Sequence, residues 1–128
     1  MARYLLLVQL LCLTVSVHAS GVLILGDSIS AAYGIEKSAG WVALMDQQLQ
    51  ERCPDYPVIN ASVSGETTAG GKTRLPALLS RHQPELVVIE LGGNDGLRGL
   101  SPMAMASNLE QMIMLSRCLL YTSDAADE

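Results

Sequence analysis

Apolar runs that end in polar, glycine-containing turns set the pattern of this chain. Three such runs cover residues 22–25, 56–61 and 86–91, and each is followed by a turn containing glycine and serine or asparagine. Continuous apolar runs of this length are typical of strands that are buried on both faces of a sheet. The pattern therefore predicts three buried strands with helices between them, as in an α/β fold with a parallel sheet.

Apolar residues at helical spacing predict the helices between and after these strands. The first helix has four apolar residues on one face, Trp41, Leu44, Met45 and Leu49. The second helix is predicted to open around Arg74, with Pro76 in its first turn, where proline is tolerated. The third is predicted to begin with Ser101 as its cap and Pro102 as its first residue. Its inward-facing residues are expected to be Met105, Leu109, Met112 and Ile113.

Composition narrows the class of protein without identifying it. A length of 128 residues allows one domain, and its core must be aliphatic because aromatic residues make up 4% of the chain and phenylalanine is absent. The net charge of -5 is mild and unclustered, so no nucleic-acid partner is indicated. The three cysteines form no metal-binding or disulfide pattern, and Cys53 is expected to be a small buried hydrophobe. No cofactor or metal is predicted.

Residues 1–19 have the layout of a secretory signal peptide. A short positive start precedes an apolar stretch, and the small residues that end at Ala19 fit a cleavage site. The alternative, an uncleaved anchor, is disfavoured because the apolar core is short for a bilayer span. The segment predicts export across the inner membrane to the periplasm and no stable membrane span after cleavage. His18 would be removed with it.

The turn after the second predicted strand resembles a phosphate-binding loop at its end, where Gly71 precedes Lys72. A phosphate loop needs glycine five positions before that glycine, and Glu66 stands there instead. Nucleotide binding is therefore rejected. Gly65 has two possible uses that spacing does not separate, a close backbone approach to a ligand and the geometry of the turn. The glycosylation sequon at residues 60–62 is interpreted as incidental.

Ser28 and Asn94 are the candidate functional side chains at the strand ends. Both follow a predicted strand, and open α/β sheets bind their ligands at the carboxyl ends of strands. A serine hydroxyl in that crevice is a candidate nucleophile. His82, the one histidine after the predicted cleavage site, is expected to have a solvated role at the end of the second helix.

Three ordered segments carry a family resemblance. They are Ile-Leu-Gly-Asp-Ser at 24–28, Asn-Ala-Ser-Val-Ser-Gly-Glu-Thr at 60–67 and Glu-Leu-Gly-Gly-Asn-Asp-Gly-Leu-Arg-Gly at 90–99. Together they resemble the SGNH (GDSL) hydrolases, in particular the bacterial periplasmic thioesterase I type. The resemblance runs from about residue 23 to 115. It implies a flavodoxin-like, three-layer α/β/α sandwich with sheet order 2-1-3-4-5, of which this chain would hold about three βα units.

The resemblance also implies roles for particular residues. Ser28 would attack an ester or thioester carbonyl and form an acyl-enzyme. The oxyanion hole would consist of the backbone N–H groups of Ser28 and Gly65 and the side chain of Asn94, while Asp27 would order the turn. The implied substrates are small acyl esters, thioesters or lysophospholipids, without a cofactor.

One part of the family pattern is missing. The family's general base is a histidine in an Asp-x-x-His block near the carboxyl terminus, and neither that block nor its Asp and His occurs here. A serine without a base is a poor nucleophile, so this chain is expected to be nearly inactive. The alternative from another class is a non-catalytic, flavodoxin-like envelope or binding protein that kept the fold and lost the base.

The predicted domain boundaries follow from the two ends of the chain. Residues 20–117 would form the amino-terminal part of an SGNH hydrolase domain. Residues 118–128 break the amphipathic pattern and resemble the in-frame translation of a transposase mosaic-end adapter. That resemblance predicts a non-native tail and a natural protein that continues beyond residue 117. A domain cut there would leave a sheet edge uncovered and is expected to be marginally stable.

Overall fold

The computed structural model describes residues 21–124, with side chains described through residue 118. The predicted signal peptide, including Cys12 and His18, lies outside the described residues. The elements, in chain order, are β1 (Val22–Gly26), a 3-10 turn (Lys37–Ala39), α1 (Trp41–Arg52), β2 (Val58–Asn60), α2 (Thr68–His82), β3 (Leu86–Glu90), α3 (Gly93–Leu97) and α4 (Pro102–Asp124). The backbone of α4 runs through the predicted boundary at residue 117.

The three strands form a parallel sheet in the order β2-β1-β3. Val22 is aligned with Val58 of β2, and Gly26 is aligned with Glu90 of β3. This is the 2-1-3 part of the predicted order, and it confirms the α/β class. Because parallel neighbours end at the same edge, the turns after β1, β2 and β3 meet there.

Strand β1 is buried on both faces, as predicted, because its side chains alternate between two helical layers. On one side, Leu23 and Leu25 join Leu75 and Leu79 of α2 and Met112 of α4. On the other side, Val22 and Ile24 pack against Val42 of α1. The sheet is thus the middle layer of three, and the larger apolar cluster lies between β1 and the α2–α4 pair.

The prediction that all three strands are buried is wrong for β2 and β3. β2 covers Val58–Asn60 and not the whole run 56–61, and its residues are half-buried or exposed. Strand β3 is present where the sequence predicts it. Leu86 is 51% exposed, and the other residues of the strand are half-buried. Among the described residues, β3 pairs with β1 alone, so it is an edge of the sheet as far as the structure describes it. An apolar composition identifies a strand, whereas burial depends on the neighbours that the fold gives it.

Helix α2 begins at Thr68, so the prediction that it opens around Arg74 is wrong. The Thr67 side chain caps it by accepting a hydrogen bond from the Gly70 backbone N–H at 3.2 Å. Gly70 and Gly71 are weak helix formers, so helix propensity alone does not predict the first two turns of α2. Pro76 consequently lies inside the helix and not in its first turn. The predicted end at His82 is confirmed.

Two predictions of inward-facing helix residues are corrected by the structure. Leu44 is 48% exposed, because the inward stripe of α1 runs through Val42, Met45 and Leu49. Ile113 is 50% exposed, because Met112 and Leu109 form the inward stripe of α4.

Cys53 is exposed and is not the buried hydrophobe that was expected. Its backbone N–H bonds back to the Leu49 carbonyl at 2.6 Å, which closes the last turn of α1. The residue itself has left the helical conformation, with φ -139°, at the solvent side of that turn.

The turn after β3 also differs from the prediction. It contains a one-turn helix, α3, and Gly92 just before it has φ +119°, a backbone conformation that favours glycine. Within residues 21–124, no helix combines the length and the apolar character needed to cross a membrane.

Candidate active site

The turn after β1 is closed by its own hydrogen bonds and presents Ser28 at the sheet edge. The Asp27 carboxylate Oδ1 accepts the Ile29 backbone N–H at 3.0 Å, an arrangement typical of Asp in turns. The Asp27 and Ser28 carbonyls accept the N–H groups of Ala31 and Tyr33, both at 3.0 Å. Asp27 is buried, whereas Ser28 is half-buried. The turn is therefore ordered by Asp27, with the serine beside it in reach of solvent.

Asn94 joins the three turns at this edge. Its side-chain amide donates to Asp27 Oδ2 at 3.2 Å and to the Glu66 backbone carbonyl at 2.9 Å. Asp27 directly precedes Ser28, and Glu66 directly follows Gly65. The structure therefore brings the three predicted site segments together through Asn94. Both hydrogens of the Asn94 amide have an acceptor within the protein in this arrangement.

Gly65 lies in the loop between β2 and α2 with φ +81°. A Cβ atom there would have the Arg98 side chain 3.6 Å away, which is ordinary contact, so the glycine is required by backbone conformation and not by crowding. Arg98 Nη2 donates to the Gly65 carbonyl at 2.9 Å, and the Val63 N–H donates to the Gly26 carbonyl at 3.0 Å. These bonds hold the loop against β1 and α3.

Within residues 21–124, the backbone N–H groups at this edge that have no internal acceptor include those of Ser28 and Gly65. Backbone N–H groups that lack a partner are uncommon in folded proteins unless water or a ligand satisfies them. The site thus offers two fixed donors and a serine hydroxyl to whatever occupies the crevice.

The ion pair that holds the Gly65 loop from behind was not predicted. Arg74 Nη1 lies 2.9 Å from Glu66 Oε2, and Arg74 Nη2 donates to the Ala61 carbonyl at 2.7 Å. A long basic side chain on the helix therefore spans both ends of the loop. The one available signal was the acid at position 66, which sequence reasoning used only to reject a phosphate loop.

A second set of contacts that sequence reasoning missed ties Asn94 to α2. The Asp95 carboxylate is buried and accepts both the backbone N–H of Thr68 at 2.9 Å and its hydroxyl at 2.6 Å. Asn108 of α4 donates to the same Thr68 hydroxyl at 3.1 Å. A carboxylate at a helix amino terminus is favourable because it satisfies free N–H groups and faces the positive end of the helix dipole.

His82 lies near the amino ends of the strands, whereas Ser28 lies at their carboxyl ends. It ends α2 shortly before Glu85, whose backbone N–H bonds to the Gly21 carbonyl at the start of β1. Ser28 lies beyond the other end of β1, roughly 17 Å away for a five-residue strand. His82 is therefore not placed to act on Ser28. Within residues 21–124, no group of three or more His, Cys, Asp or Glu side chains could hold a metal ion.

A cavity of about 410 Å³ lies beside the turn, between α1 and β2. Its lining includes Ser30, Lys37 and Asn60 but none of Ser28, Gly65 and Asn94. It is therefore distinct from the crevice that the three turns form.

A parallel α/β sheet with Gly-Asp-Ser, Ser-Gly and Gly-Asn-Asp turns at its carboxyl edge defines a class of hydrolase. The model of the GDSL-like Lipase/Acylhydrolase family matches residues 24–120, and the chain belongs to this family. The resemblance to SGNH hydrolases is thereby confirmed.

Two individual proteins show to which esterases and thioesterases the chain is similar. The chain is 54% identical over 108 residues to Esterase TesA of Pseudomonas aeruginosa, a match covering 84% of this chain and 54% of that esterase. It is 50% identical over 95 residues to Thioesterase 1/protease 1/lysophospholipase L1 of Escherichia coli K12, covering 74% of this chain and 44% of that protein. The chain thus spans about half the length of these relatives.

A solved structure supports the fold. A crystal structure of the psychrotrophic esterase EstA from Pseudoalteromonas, inhibited by monoethylphosphonate, superposes with a TM-score of 0.73 at 44% identity. The match covers 79% of this chain and 55% of that one. The fold of a truncated SGNH hydrolase sandwich is therefore confirmed.

Proposed function

We propose that this chain carries the nucleophile and the oxyanion hole of a serine hydrolase that cleaves carboxylic esters or thioesters. The observation that carries the proposal is the half-buried Ser28 at the carboxyl edge of the sheet, next to turns in which the N–H groups of Ser28 and Gly65 have no acceptor among the described residues. Fixed donors of this kind are the usual means of stabilising a developing oxyanion.

In the proposed reaction, Ser28 Oγ bonds to the carbonyl carbon of the substrate and its proton passes to a general base. The carbonyl electron pair moves to oxygen, and the N–H groups of Ser28 and Gly65 bind the resulting oxyanion. Collapse of this intermediate expels the alcohol or thiol, which takes up the proton, and leaves an acyl group on Ser28. Water then releases the acid by the same steps.

Asn94 would be the third oxyanion donor, and its present contacts set a condition on that role. Because both of its amide hydrogens are already bonded, it would have to share or exchange one of them. The bond to Asp27 Oδ2, at 3.2 Å, is longer than the bond to the Glu66 carbonyl, at 2.9 Å. We propose that Asn94 shares the hydrogen now directed at Asp27, while the bond to Glu66 keeps the side chain in place.

Under this proposal, we expect the 128-residue chain by itself to turn over little substrate. His82, the histidine within the described residues, lies near the amino ends of the strands, away from Ser28. His18 belongs to the predicted signal peptide. The base would then come from the Asp-x-x-His block that the family resemblance implies and this sequence lacks. Oxyanion stabilisation alone would leave a residual rate.

The substrate class of the proposal is a small acyl ester, a thioester or a lysophospholipid. The names of the relatives, esterase and thioesterase/lysophospholipase, support this range. A periplasmic site of action is also part of the proposal, and it rests on the predicted signal peptide at residues 1–19.

The test compares this chain with a chimera in which residues 21–117 are joined to the carboxyl-terminal part of the Pseudomonas esterase. Hydrolysis of an aryl ester, an acyl-CoA and a lysophospholipid is measured for both. We expect the chimera to be active and Ser28→Ala in the chimera to lose at least about 10³-fold in kcat, as is usual on removal of a catalytic serine.

Ser38→Ala is the matched control, since this exposed serine lies in the 3-10 turn away from the three site turns. It should leave kcat unchanged. A chimera whose activity survives Ser28→Ala, or is lost equally in Ser38→Ala, would overturn the proposal.

A further inference from the structure

Beneath the Ser28 turn, a carboxylate on β3 contacts the residues on both sides of the serine. Glu90 Oε2 accepts the hydroxyl of Ser30 at 2.8 Å and the backbone N–H of Asp27 at 3.4 Å. Asp27 directly precedes Ser28, and Ser30 follows it by two positions. Glu90 therefore bonds to the turn on either side of the serine from the neighbouring strand.

The contact extends to α1 through the one tryptophan of the chain. Trp41 Nε1 donates to Ser30 Oγ at 3.2 Å, so the Ser30 hydroxyl donates to Glu90 and accepts from Trp41. Ser30 is 2% exposed, so its hydroxyl is shielded from bulk solvent. We call these three side chains the Glu90–Ser30–Trp41 chain.

Gly26 makes room for these contacts. A Cβ atom on Gly26 would stand 2.6 Å from Ser30 Oγ and 2.7 Å from Ser30 Cβ, which is too short to keep, and 3.0 Å from Glu90 Oε2, so that the carboxylate would also have to shift slightly. Gly26 is aligned with Glu90 in the sheet, so the missing side chain is what allows the carboxylate to pass under the turn. The glycine before Asp27 and Ser28 is thus explained by packing against Glu90 and Ser30.

We propose that Glu90 is a positioning residue for Ser28, which fixes the turn after β1 through the Asp27 N–H and the Ser30 hydroxyl, with Trp41 completing the chain. The inference rests on the proposed function for its catalytic consequence, but its structural content is independent of that function. Glu90 acts as a hydrogen-bond acceptor here, so an uncharged acceptor of the same shape should serve. Displacing a reacting group by about 1 Å can lower a rate roughly 10²-fold, which makes such a residue matter for the rate.

The structural test measures amide hydrogen exchange in the full 128-residue chain. The Ala31 and Tyr33 N–H groups close the turn on the Asp27 and Ser28 carbonyls, so their protection reports on its order. We expect Glu90→Ala and Ser30→Ala to lower this protection about tenfold or more, relative to the amides of β1. Acrylamide quenching of Trp41 fluorescence should rise in Ser30→Ala, because the indole N–H loses its partner.

Two matched variants separate positioning from a general loss of stability. Glu90→Gln keeps an acceptor oxygen and should retain protection within about twofold of the wild type. Glu110→Ala removes an exposed acid on α4 and should change nothing. If Glu90→Ala fails to fold, Ser30→Ala decides the question. Wild-type protection of the turn in Ser30→Ala, or equal losses in Glu90→Gln and Glu90→Ala, would overturn the proposal.

The catalytic consequence is measured in the chimera with the carboxyl-terminal part of the Pseudomonas esterase, as the rate at which a fluorophosphonate labels Ser28. We expect this rate to fall at least about tenfold in Glu90→Ala and to hold in Glu90→Gln. A wild-type rate in Glu90→Ala would overturn the inference. A chimera that does not label at all without either substitution would count against the proposed function, and the exchange measurement would still decide the positioning role.

Discussion

Strands β1 and β3 have similar aliphatic sequences and lie side by side, yet their surroundings differ. All five residues of β1 are buried, because β2 and β3 flank it and helices cover both of its faces. β3 pairs only with β1 among the described residues, and Leu86 at its start is 51% exposed. Ser28 follows the buried strand, and Asn94 follows the partly buried one. The two halves of the site therefore depend on different kinds of support.

The difference shows in how each turn is held. The Ser28 turn continues a fully packed strand and is closed by its own backbone bonds. Asn94 depends more on side-chain hydrogen bonds, to Asp27 on one side and, through its neighbour Asp95, to Thr68 on the other. We infer that the nucleophile is positioned by a packed strand together with the Glu90–Ser30–Trp41 chain, whereas the amide is positioned mainly by polar contacts.

The largest effect on stability should come from emptying the core behind β1. Leu25→Ala removes a fully buried side chain that packs in the cluster with Leu75 and Leu79. It should lower the free energy of unfolding by about 2–5 kcal/mol. Leu86→Ala is the matched change in β3, and it should cost about 0.5 kcal/mol or less because that side chain is largely exposed. Urea denaturation of both variants checks this, and equal losses would contradict the comparison.

A smaller effect is expected from breaking the polar support on the other side. Asp95→Ala leaves the buried hydroxyl and N–H of Thr68 without their acceptor, which should cost about 2–3 kcal/mol of unfolding free energy. Asp55→Ala, at an exposed acid, serves as the control. The same denaturation experiment applies, and an Asp95→Ala protein as stable as the control would show that Asn94 has other support.

One substitution in helix α2, which covers β1, should stabilise the protein. Pro76 is exposed inside this helix and cannot donate a backbone hydrogen bond there. Pro76→Ala should raise the unfolding free energy by about 1–2 kcal/mol, the gain in helix propensity less the added freedom of the unfolded chain. Pro54→Ala lies outside any helix and should bring no such gain. Thermal melts of the two variants distinguish these outcomes.

The smallest effect concerns Tyr56 and Glu85, which lie just before β2 and β3 at the amino ends of these strands. Burial and, to a lesser degree, the Glu85 carboxylate raise the pKa of Tyr56 above 10.0. The neutral phenol is then favoured in the folded state, so its contribution to stability is complete below pH 10.0 and is lost as the pH rises through the folded pKa. An ultraviolet absorbance titration, with Tyr56→Phe to assign the signal, should show Glu85→Gln lowering this pKa. An unchanged midpoint would remove Glu85 as a cause.

Much of the fold could be predicted from local sequence. The runs at 22–25 and 86–91 locate β1 and β3, because apolar runs bounded by turn residues are informative whatever surrounds them. The starting point of α2 could not be predicted this way, since Gly70 and Gly71 argue against a helix and the acceptor that supports Thr68 comes from Asp95, far along the chain. The exposure of Leu86 was equally hidden, because it depends on which strand lies alongside.

The same division applies to the site. Ser28 and Asn94 were predicted from turns at strand ends and Gly65 from the family resemblance, and the structure places the three segments in contact. The contacts of Arg74 with Glu66 and of Glu90 with Ser30 were not predicted. Glu90 and Ser30 are 60 positions apart, whereas Arg74 and Glu66 are only eight apart but lie in a helix and in the loop before it. Neither an arginine in a helix nor a glutamate at a strand end signals a partner by itself.

The most direct test of the account is to find which residue reacts with a phosphonate. The chimera of residues 21–117 with the carboxyl-terminal part of the Pseudomonas esterase, which would supply the general base, is treated with a fluorophosphonate, digested and analysed by mass spectrometry, with its Ser28→Ala variant treated alongside. The account predicts one modified peptide, with the adduct on Ser28, and no adduct in Ser28→Ala. An adduct on another residue, or labelling that persists in Ser28→Ala, would contradict the claim that the turn after β1 presents the nucleophile.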